Sequence, residues 1–446
     1  MAEHRTLRHW LGRTVVGLTA VLVFSMPAAQ AAPNPTTNNI SGPPTRQNLL
    51  DWGKYYETNG QWSLALEQYE YLLTLDRADA EAKRRFLAAL RQVHRKYRHN
   101  DPSFMGQVVS PEYTLTKSLE FYRDVLRKVQ EFYHNSDRVQ ATYLFQQGLE
   151  ELLTDLDDKD FCAKHLKQGV TADEIRKFKG HLREKYGKVK VKDLAEAAEQ
   201  LFSVARDALR KVELRGTVVV VEFACGACNC LDEYSFYLPQ AGMGNAPMMK
   251  ATLDAEIVEE GILHIRLTGF DDRTLQALDA ILAELENNKI KSLILDLRGN
   301  PGGSLDVSVQ VVERFVPAPQ PIAGTKGKIV KNFQSYSMAV VELPLFVLVD
   351  STTASAAELV AGALKAHKRA ELIGQTTYGK NSIQKMVPVS QVPYGGLKLS
   401  WAEFHLAKLD DMAKHGGIVP TIQTGSDPNE QRAVALERAR MPLSMR

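Results

Sequence analysis

Ser355, Lys380 and Gln384 are the residues whose types and spacing point to covalent catalysis. Ser355 stands at the predicted start of a helix, and because 355–358 (Ser-Ala-Ala-Glu) fits a capping box, its structural interpretation is a helix cap. Lys380 lies in a Tyr-Gly-Lys turn after the next predicted strand, and Gln384 follows four residues later. One helix, one return strand and one turn can bring Lys380 beside Ser355, where a neutral amine can act as general base for a serine nucleophile.

A lysine that acts as a base must be largely enclosed by protein. A free lysine has a pKa of about 10.4, and lowering it to about 7 requires roughly 4–5 kcal/mol of differential environment. Desolvation supplies such a shift because it penalises the charged form. The sequence therefore predicts that Lys380 is mostly buried if it is the base.

A glycine-rich turn is the second segment whose residues could take part in a reaction. It ends the run 293–303 (LILDLRGNPGG), in which a buried strand is expected to lead through the turn into a helix. The run has neither the G-x-G-x-x-G spacing of a dinucleotide site nor the Lys-Ser/Thr ending of a P-loop. Besides a plain turn, the remaining interpretation is a set of backbone N–H groups that can approach a substrate oxygen with no side chain in the way.

The four cysteines leave three interpretations open. Cys225, Cys228 and Cys230 lie together in CGACNC, whereas Cys162 is remote in sequence. Outside the cytoplasm a disulfide is the first expectation, unpaired packed thiols are the second, and a four-cysteine zinc site is the third.

The elements that must position the chemical residues lie in the second half of the chain. Asn48 to about Arg215 is helical in pattern, with apolar residues recurring at i, i+3 and i+4. Thr217 to Val221 (TVVVV) is a β-branched run that predicts a buried strand, which places a domain boundary near residue 216. Strands and helices then alternate, which predicts an α/β layer architecture. The predicted strands are 262–267, 292–297, 345–350 and 371–374, and the predicted helices are 273–286, 305–315 and 356–367.

One segment of the helical half has the spacing of a tetratricopeptide repeat. Its positions are Leu49, Trp52, Gly53, Tyr56, Gly60, Ala65, Tyr69 and Leu72. In such a unit small residues let two antiparallel helices approach, and aromatic residues fill the groove between them. No convincing second copy follows, so a generic helical hairpin competes with the functional interpretation, a docking surface for an adaptor.

The N-terminus has the three parts of a secretory signal peptide. Three arginines precede an apolar run, 14–24, and Ala29-Gln30-Ala31 is a small-x-small cleavage site;. Residues 32–46 are rich in Pro, Asn and Thr, which predicts a flexible linker. An exported protein of the bacterial envelope, most simply the periplasm, is expected, and no run long enough for a conventional membrane span remains after cleavage.

Length and charge exclude other classes of protein. The chain has 446 residues, enough for two or three domains;. Its 55 basic and 53 acidic side chains give a formal net charge of +2, which argues against a nucleic-acid binder that works by bulk charge;. A 44% hydrophobic and 24% charged composition is that of a globular protein, so extensive disorder is not expected;.

The chemical segments together resemble those of the C-terminal processing (tail-specific) serine peptidases. The resemblance is carried by DLRGNPGG (296–303), TASAAE (353–358) and YGKNSIQ (378–384), with weaker support from LDEYSFYL (231–238) and GIVP (417–420). It covers about residues 216–446, and the Ser-to-Lys-to-Gln spacing is its most specific part.

The resemblance implies a Ser–Lys dyad assisted by glutamine. Ser355 matches the nucleophile, Lys380 the base, and Gln384 the residue that orients the base. The oxyanion would be held by the backbone N–H of Gly302 or Gly303 together with that of Ala356. Neither a cofactor nor a metal is implied, and the substrates would be proteins or peptides.

The chain also departs from that family. Members usually insert a PDZ domain between the Tyr-Leu segment and the strand at Ile262, but only about two dozen residues separate them here. No PDZ domain fits, so recognition of an apolar substrate C-terminus and PDZ gating are both in doubt. Ala357 and Thr421 replace a serine and an aspartate that the family tends to have, and neither touches the presumed chemistry.

The fold class expected is an α/β peptidase core, a mixed sheet with flanking helices, preceded by an all-α, tetratricopeptide-like region. The expected organisation is a signal peptide (1–31), a flexible linker (32–46), a tetratricopeptide-like hairpin (47–97), a helical region (98–215) and a peptidase core (216–446). The favoured function is an exported serine endopeptidase that cleaves protein substrates near their C-termini. The alternatives are a non-catalytic peptide-binding or scaffold protein on a peptidase fold, and a helical adaptor whose second half only binds a partner enzyme. Ser, Lys and Gln retained in register favour the peptidase, because a pure binder gains nothing from an enclosed lysine.

Overall fold

The structure is a computed structural model that describes residues 44–239, 253–389 and 391–441. The predicted signal peptide, 1–31, and most of the predicted linker, 32–46, lie outside the described residues. No helix in the described part of the chain combines the length and the apolar composition needed to cross a membrane.

Residues 44–230 fold as ten α-helices, and a 3-10 turn, Ser136–Val139, lies between the fifth and the sixth. The helices are α1 (Arg46–Thr58), α2 (Trp62–Leu75), α3 (Ala80–Asn100), α4 (Pro102–Val109), α5 (Leu115–Phe132), α6 (Ala141–Asp155), α7 (Lys159–His165), α8 (Ala172–Tyr186), α9 (Leu194–Val212) and α10 (Gly216–Asn229). Most begin at an Asp or Thr whose side chain accepts a first-turn N–H, as Asp79 does from Ala82 before α3;. This confirms the helical first half predicted from the apolar periodicity.

The strand predicted at Thr217 to Val221 is wrong, because these residues form the first turns of α10. Almost every residue of α10 is buried, and the helix is enclosed by α5, α6 and α9. A helix that is apolar on all sides is expected inside a core, and burial there outweighs the weak helix propensity of valine. The α/β half therefore begins after α10 rather than near residue 216.

Helices α1 to α3 pack as an antiparallel hairpin and a third helix around an apolar cluster of their own. A Cβ on Gly53 would lie 2.3 Å from the ring of Tyr69, so the glycine gives the tyrosine the space to fill the groove between α1 and α2. This close packing of a small and an aromatic residue is the one expected from the sequence. The tetratricopeptide interpretation of 47–97 itself stays a prediction.

A six-stranded sheet forms the centre of the α/β half. Its order is β11-β8-β7-β4-β3-β2, all parallel except the edge strand β2. The strands are β2 (Leu253–Glu259), β3 (Ile262–Leu267), β4 (Ser292–Asp296), β7 (Leu345–Val349), β8 (Ala370–Gly374) and β11 (Ile422–Gln423). Its helices are α11 (Asp272–Ala283), α12 (Leu305–Glu313), α13 (Ala356–Ala366), α14 (Asp411–His415) and α15 (Pro428–Arg440). All the strands predicted from residue 262 onward and all three predicted helices are present, with ends that differ by at most three residues.

A five-stranded antiparallel sheet lies beside it. Its order is β1-β10-β5-β6, and β9 also pairs with β10. The strands are β1 (Phe236–Pro239), β5 (Gln320–Gly327), β6 (Asn332–Ser335), β9 (Ser382–Val389) and β10 (Gly395–Leu406). Between β1 and β3 the described residues comprise β2 and the turn after it, so they contain no PDZ-like module. The fold is thus an all-helical region followed by a mixed-sheet α/β core, as predicted.

Candidate active site

Three loops meet at the carboxyl ends of the parallel strands. They are the glycine turn after β4 (297–304), the loop after β7 (350–355) and the loop after β8 (375–381). Loops at this edge of neighbouring parallel strands converge by construction, which is where open α/β sheets bind ligands. Two of these loops carry Ser355 and Lys380.

Glu358 joins the loops of Ser355 and Lys380. This residue of α13 is fully buried, and its Oε2 accepts the backbone N–H of Ser355 at 2.8 Å and that of Lys380 at 2.8 Å. The two nitrogens are therefore at most twice that distance apart. The other oxygen, Oε1, accepts the N–H of Gly379 at 2.6 Å and the hydroxyl of Thr377 at 2.5 Å. The carboxylate that the sequence explained as a helix cap also fixes the loop of the lysine.

The electrostatics of Glu358 are set by two opposing causes. Burial raises the pKa of Glu358 to about 7, and hydrogen bonds from Thr377 and from three backbone N–H groups work against that rise. All four partners are donors, so the ionised carboxylate satisfies every one of them. A protonated carboxyl would give one of its oxygens a hydrogen that points at a donor.

Ser355 has a backbone conformation that a plain helix cap does not need. Its φ is 57° and its ψ is −120°, whereas a capping residue has extended dihedrals;. Positive φ in a residue with a side chain is strained and is maintained only where the surroundings fix it. A serine on a sharp strand-to-helix turn is the geometry that presents a nucleophilic hydroxyl above a sheet.

Asn300 shapes the glycine turn beside Ser355. This fully buried side chain donates to Leu267 O at 2.8 Å and accepts the N–H of Gly302 at 2.9 Å. The main-chain carbonyl oxygen of Asn300 accepts the N–H of Ala354 at 2.9 Å, which ties the turn to the serine loop. A Cβ on Gly302 would lie 2.9 Å from that of Ser355, so only glycine permits this approach;.

The three backbone groups proposed for an oxyanion differ in availability. The N–H of Gly302 is used by Asn300, and Gly302 is buried. In the described chain the N–H groups of Gly303 and Ala356 donate to no protein acceptor, and Gly303 is exposed. Of the two glycines predicted as alternatives, Gly303 is the one with a free donor.

Asp296, which ends β4, and Asp350, which follows β7, hold the loops. Arg298 forms a two-pronged ion pair with Asp296, at 2.8 and 2.6 Å, and also donates to Pro428 O of α15. Burial opposes the charge on Asp296, but the hydrogen bonds from Arg298 and His264 hold its pKa below the usual range. Asp350 accepts from Gly299 and from the threonines that follow it, so it links two of the three loops.

Lys380 lies in an environment that favours its neutral form. Burial lowers the pKa of Lys380 to about 8, and the neighbouring Lys398 adds to this effect. The opposing charges are those of Asp232, Glu358 and Glu233. Lys380 itself is half-buried, so its role as the base stays a prediction.

The amine of Lys380 faces an aromatic ring. Its Nζ lies 4.5 Å from the centroid of the Tyr234 ring. Among the described residues no hydrogen bond joins this Nζ to Ser355 or to Gln384. The hydrogen bond expected between Gln384 and Lys380 is therefore not formed here.

Gln384 is instead held by two serines. Its amide nitrogen donates to Ser382 at 2.9 Å and to Ser400 at 3.1 Å. Because both hydrogens of the amide are used, the carbonyl oxygen remains as the acceptor for an ammonium or amine.

Sequence reasoning missed several residues that complete this site. Tyr234 lies in the segment LDEYSFYL, which carried part of the resemblance, so its signal was available. Glu358 was noticed only as a cap. Asn300 lies in DLRGNPGG, which also carried the resemblance, so its signal was available too. Lys398 has no signal in the sequence, because its role depends on contacts between distant strands and loops.

The cysteines are all free thiols in the structure, so the disulfide expected first is not formed. Cys225, Cys228 and Cys230 are buried in or next to α10. Burial raises the pKa of Cys230 to about 12 and that of Cys162 to about 11. Neutral thiols packed among helices match the second interpretation and are poor ligands for zinc.

One group of potential metal ligands lies elsewhere in the helical half. Donor atoms of His99, Asp155 and Glu222 lie within 4.8 Å of one another. Arg95 pairs with Asp155 at 2.6 Å, and Arg98 pairs with Glu222. Two guanidinium groups already supply the positive charge, so this group is a buried ion-pair network.

Comparisons with known proteins match the part of the chain that contains the site. Residues 261–424 match the model of peptidase family S41. The carboxy-terminal-processing protease of Bartonella bacilliformis is 34% identical over 156 residues, 33% of this chain and 35% of that protein. The carboxy-terminal processing protease CtpB of Bacillus subtilis is 34% identical over 162 residues, 36% of this chain and 33% of that protein. The chain thus matches about a third of the length of these curated relatives.

A solved structure described as a photosystem II D1 C-terminal processing protease aligns with 69% of this chain and 93% of its own. The TM-score is 0.40 and the sequence identity is 18%.

The part of the chain that the family model matches, residues 261–424, lies in the α/β half and is similar to peptidase family S41. The curated relatives are carboxy-terminal processing proteases, and in this chain an all-helical region precedes the matched part.

Proposed function

We propose that this protein is an exported serine endopeptidase that cleaves protein substrates near their C-termini with Ser355 and Lys380. The observation that supports this most directly is the shared carboxylate of Glu358. The backbone N–H of Ser355, a residue with strained dihedrals, and that of Lys380 both donate to one oxygen atom of this carboxylate. A lysine with a pKa of about 8 is neutral in a minority of molecules near physiological pH, a far larger fraction than for a free lysine;.

The reaction then follows the two steps of covalent catalysis. The hydroxyl oxygen of Ser355 attacks the peptide carbonyl carbon while Lys380 Nζ takes its proton. When the tetrahedral intermediate collapses, the C–N bond breaks and the ammonium gives that proton to the leaving amine. Water then attacks the acyl-enzyme with Lys380 again as base, which releases the new C-terminus and restores the serine.

Backbone donors would hold the negative charge of the intermediate. The N–H groups of Gly303 and Ala356 are unpaired in the described chain, and the second lies at the N-terminus of α13, where the helix dipole favours an anion. Gln384 would accept a hydrogen bond from Lys380 through its carbonyl oxygen once the amine turns from Tyr234 toward Ser355.

A non-catalytic scaffold on the same fold is the alternative. The missing hydrogen bond between Lys380 and Ser355 is the observation that favours it. Incubation with an unfolded polypeptide, followed by mass spectrometry of the products, separates the two. Discrete fragments from the wild type and none from Ser355→Ala support the peptidase, and an intact polypeptide in both samples supports the scaffold.

Export is a separate part of the proposal and depends on the three-part N-terminus. Cleavage after Ala31 would place the mature chain in the periplasm or cell envelope. N-terminal sequencing of the native protein should begin near Ala32, and a mature chain that begins at Met1 would refute export by this signal.

A further inference from the structure

The loop between α2 and α3 reaches the two loops of the candidate dyad through Arg77. Its Nη2 donates to the carbonyl oxygen of Ser351 at 3.2 Å. Its guanidinium carbon lies 3.4 Å from the centroid of the Tyr378 ring. Ser351 is four residues before Ser355, and Tyr378 is two residues before Lys380. One side chain of the N-terminal hairpin therefore contacts both loops.

Tyr378 connects this contact to the amine of Lys380. The ring is buried, and the N–H of Tyr378 donates to Thr353 O at 2.9 Å. Its hydroxyl interacts with that of Tyr234, and burial raises the pKa of both tyrosines. The Tyr234 ring in turn faces Lys380 Nζ. The path from Arg77 to the amine thus runs through two aromatic residues, the buried Tyr378 and the half-buried Tyr234.

The hairpin that carries Arg77 is a unit with a separate core. The buried apolar residues of α1 to α3 form one cluster, distinct from those of the remaining helices and of the sheets. Glu70 of α2 is buried near Arg77, and its charge acts on both Arg77 and Tyr378. Helix α3 is also anchored in the other helices through the buried ion pairs that Arg95 and Arg98 form with α6 and α10, so Arg77 extends to the two loops from a fixed support.

We propose that Arg77 is a positioning residue through which the N-terminal helical hairpin, α1 to α3, holds the loops of Ser355 and Lys380 in their catalytic arrangement. The inference rests on the proposed peptidase function. It assigns to the hairpin a control over the site, since the described residues between β1 and β3 contain no PDZ-like module that could supply one. Arg77 touches neither substrate nor reacting atoms, and it acts through Tyr378 and Ser351.

The test compares Arg77→Ala, Arg77→Lys and a matched control, Arg84→Ala. Arg84 is an exposed arginine of α3 that makes no ion pair in the described chain. With an unfolded substrate, Arg77→Ala should lower kcat at pH 7 by about tenfold and leave KM nearly unchanged, a size typical of coupling through neighbouring contacts. Arg77→Lys should recover part of the loss, since it keeps the charge but not the flat face of the guanidinium. The control should behave as wild type.

The pH profile separates positioning from a general loss of folded protein. A loosened loop admits water to Lys380, so the lower limb of the kcat profile should move to higher pH in Arg77→Ala. The groups that face Lys380 and stay in place are Lys398, Asp232, Glu233, Glu358 and Tyr234. The proposal would be overturned if kcat of Arg77→Ala fell by the same factor at every pH. It would also be overturned if Arg84→Ala lost as much kcat as Arg77→Ala.

A second readout does not depend on activity. In a Ser355→Ala background, hydrogen exchange of the Gly379 and Lys380 amides, which donate to Glu358, should be faster when Arg77 is alanine. Unchanged protection of these amides refutes the positioning role. If these amides exchange faster but the wild-type protein cleaves no substrate, the peptidase function is refuted. The contact between hairpin and loops is then still established.

Discussion

Glu358 is the residue on which the loops of Ser355 and Lys380 depend. It accepts four hydrogen bonds in a fully buried position, and all four partners are donors. Glu358→Gln presents an amide NH₂ to some of those donors, and a buried donor without an acceptor costs about 1–3 kcal/mol. We expect a stability loss of that size and roughly a hundredfold lower kcat, measured by denaturant unfolding and by peptide cleavage.

A second capping-box glutamate supplies the control for this variant. Glu174 accepts the N–H of Thr171 at the start of α8, on the surface of the protein. Glutamine is also accepted at this position of a capping box. Glu174→Gln should therefore change neither the free energy of unfolding nor kcat measurably. Equal effects at the two positions would show that Glu358 acts only as a cap.

The pKa of Lys380 predicts the pH dependence of the reaction. Below about pH 8 the lysine is protonated and cannot accept the serine proton, so kcat should fall about tenfold per pH unit on that side;. Lys398→Met removes a neighbouring positive charge that lowers this pKa. Its rate profile should therefore shift to higher pH, with the full rate regained above the new pKa.

Lys385→Met is the matched control for the pH experiment. Lys385 is on the exposed side of β9, and its amine faces the ring of Phe132 rather than the site. An unshifted profile in Lys398→Met, or the same shift in both variants, would argue against Lys398 as the cause.

The residues of the proposed dyad could be predicted from spacing, because strand, helix and return strand fix where Ser355 and Lys380 meet. The sequence could not predict which of Gly302 and Gly303 has a free N–H group for the oxyanion. This depends on Asn300, whose side chain occupies one of the two N–H groups. The partner of Gln384 was likewise unpredictable, since Ser400 lies on β10 and reaches it only through strand pairing.

At the level of elements, α10 is where sequence and structure disagree. An unbroken apolar run has no period, so TVVVV fits a buried strand and a buried helix equally well. The segment is helical because it packs closely against the surface of α6. A Cβ on Gly226 would lie 2.7 Å from Gln147 O and 2.9 Å from the Cα of Gly148, so α6 and α10 cross with their backbones almost in contact.

This crossing gives a stability prediction. Gly226→Ala should destabilise the protein by about 1–3 kcal/mol, because the added methyl group meets backbone atoms that must move;. Gly180→Ala, on the exposed face of α8 with open space around it, should stabilise by about 0.5–1 kcal/mol from helix propensity;. Thermal unfolding of the two variants should thus change in opposite directions, and a shared direction would contradict the packing of α10.

In the whole molecule, the helical half and the α/β half share one buried apolar cluster. Buried residues of β1, β9 and β10, among them Tyr237, Val387 and Leu399, pack in one cluster with α5, α6 and α10. The sequence gives no indication of this, since each helix and strand shows only that one face is apolar, and not which partner covers it. The α1–α3 hairpin has an apolar cluster of its own, and it contacts the dyad loops through Arg77.

The most direct test of the central claim is single-turnover cleavage of an unfolded substrate by wild type, Ser355→Ala, Lys380→Arg and the double variant. Arginine keeps the positive charge but does not lose its proton in proteins, so it cannot serve as base. Each single variant should be slower by several orders of magnitude, and the double variant should be little worse than either, because the two residues act as a unit. Lys380→Arg cleaving at the wild-type rate would contradict the dyad, and the scaffold interpretation would take its place.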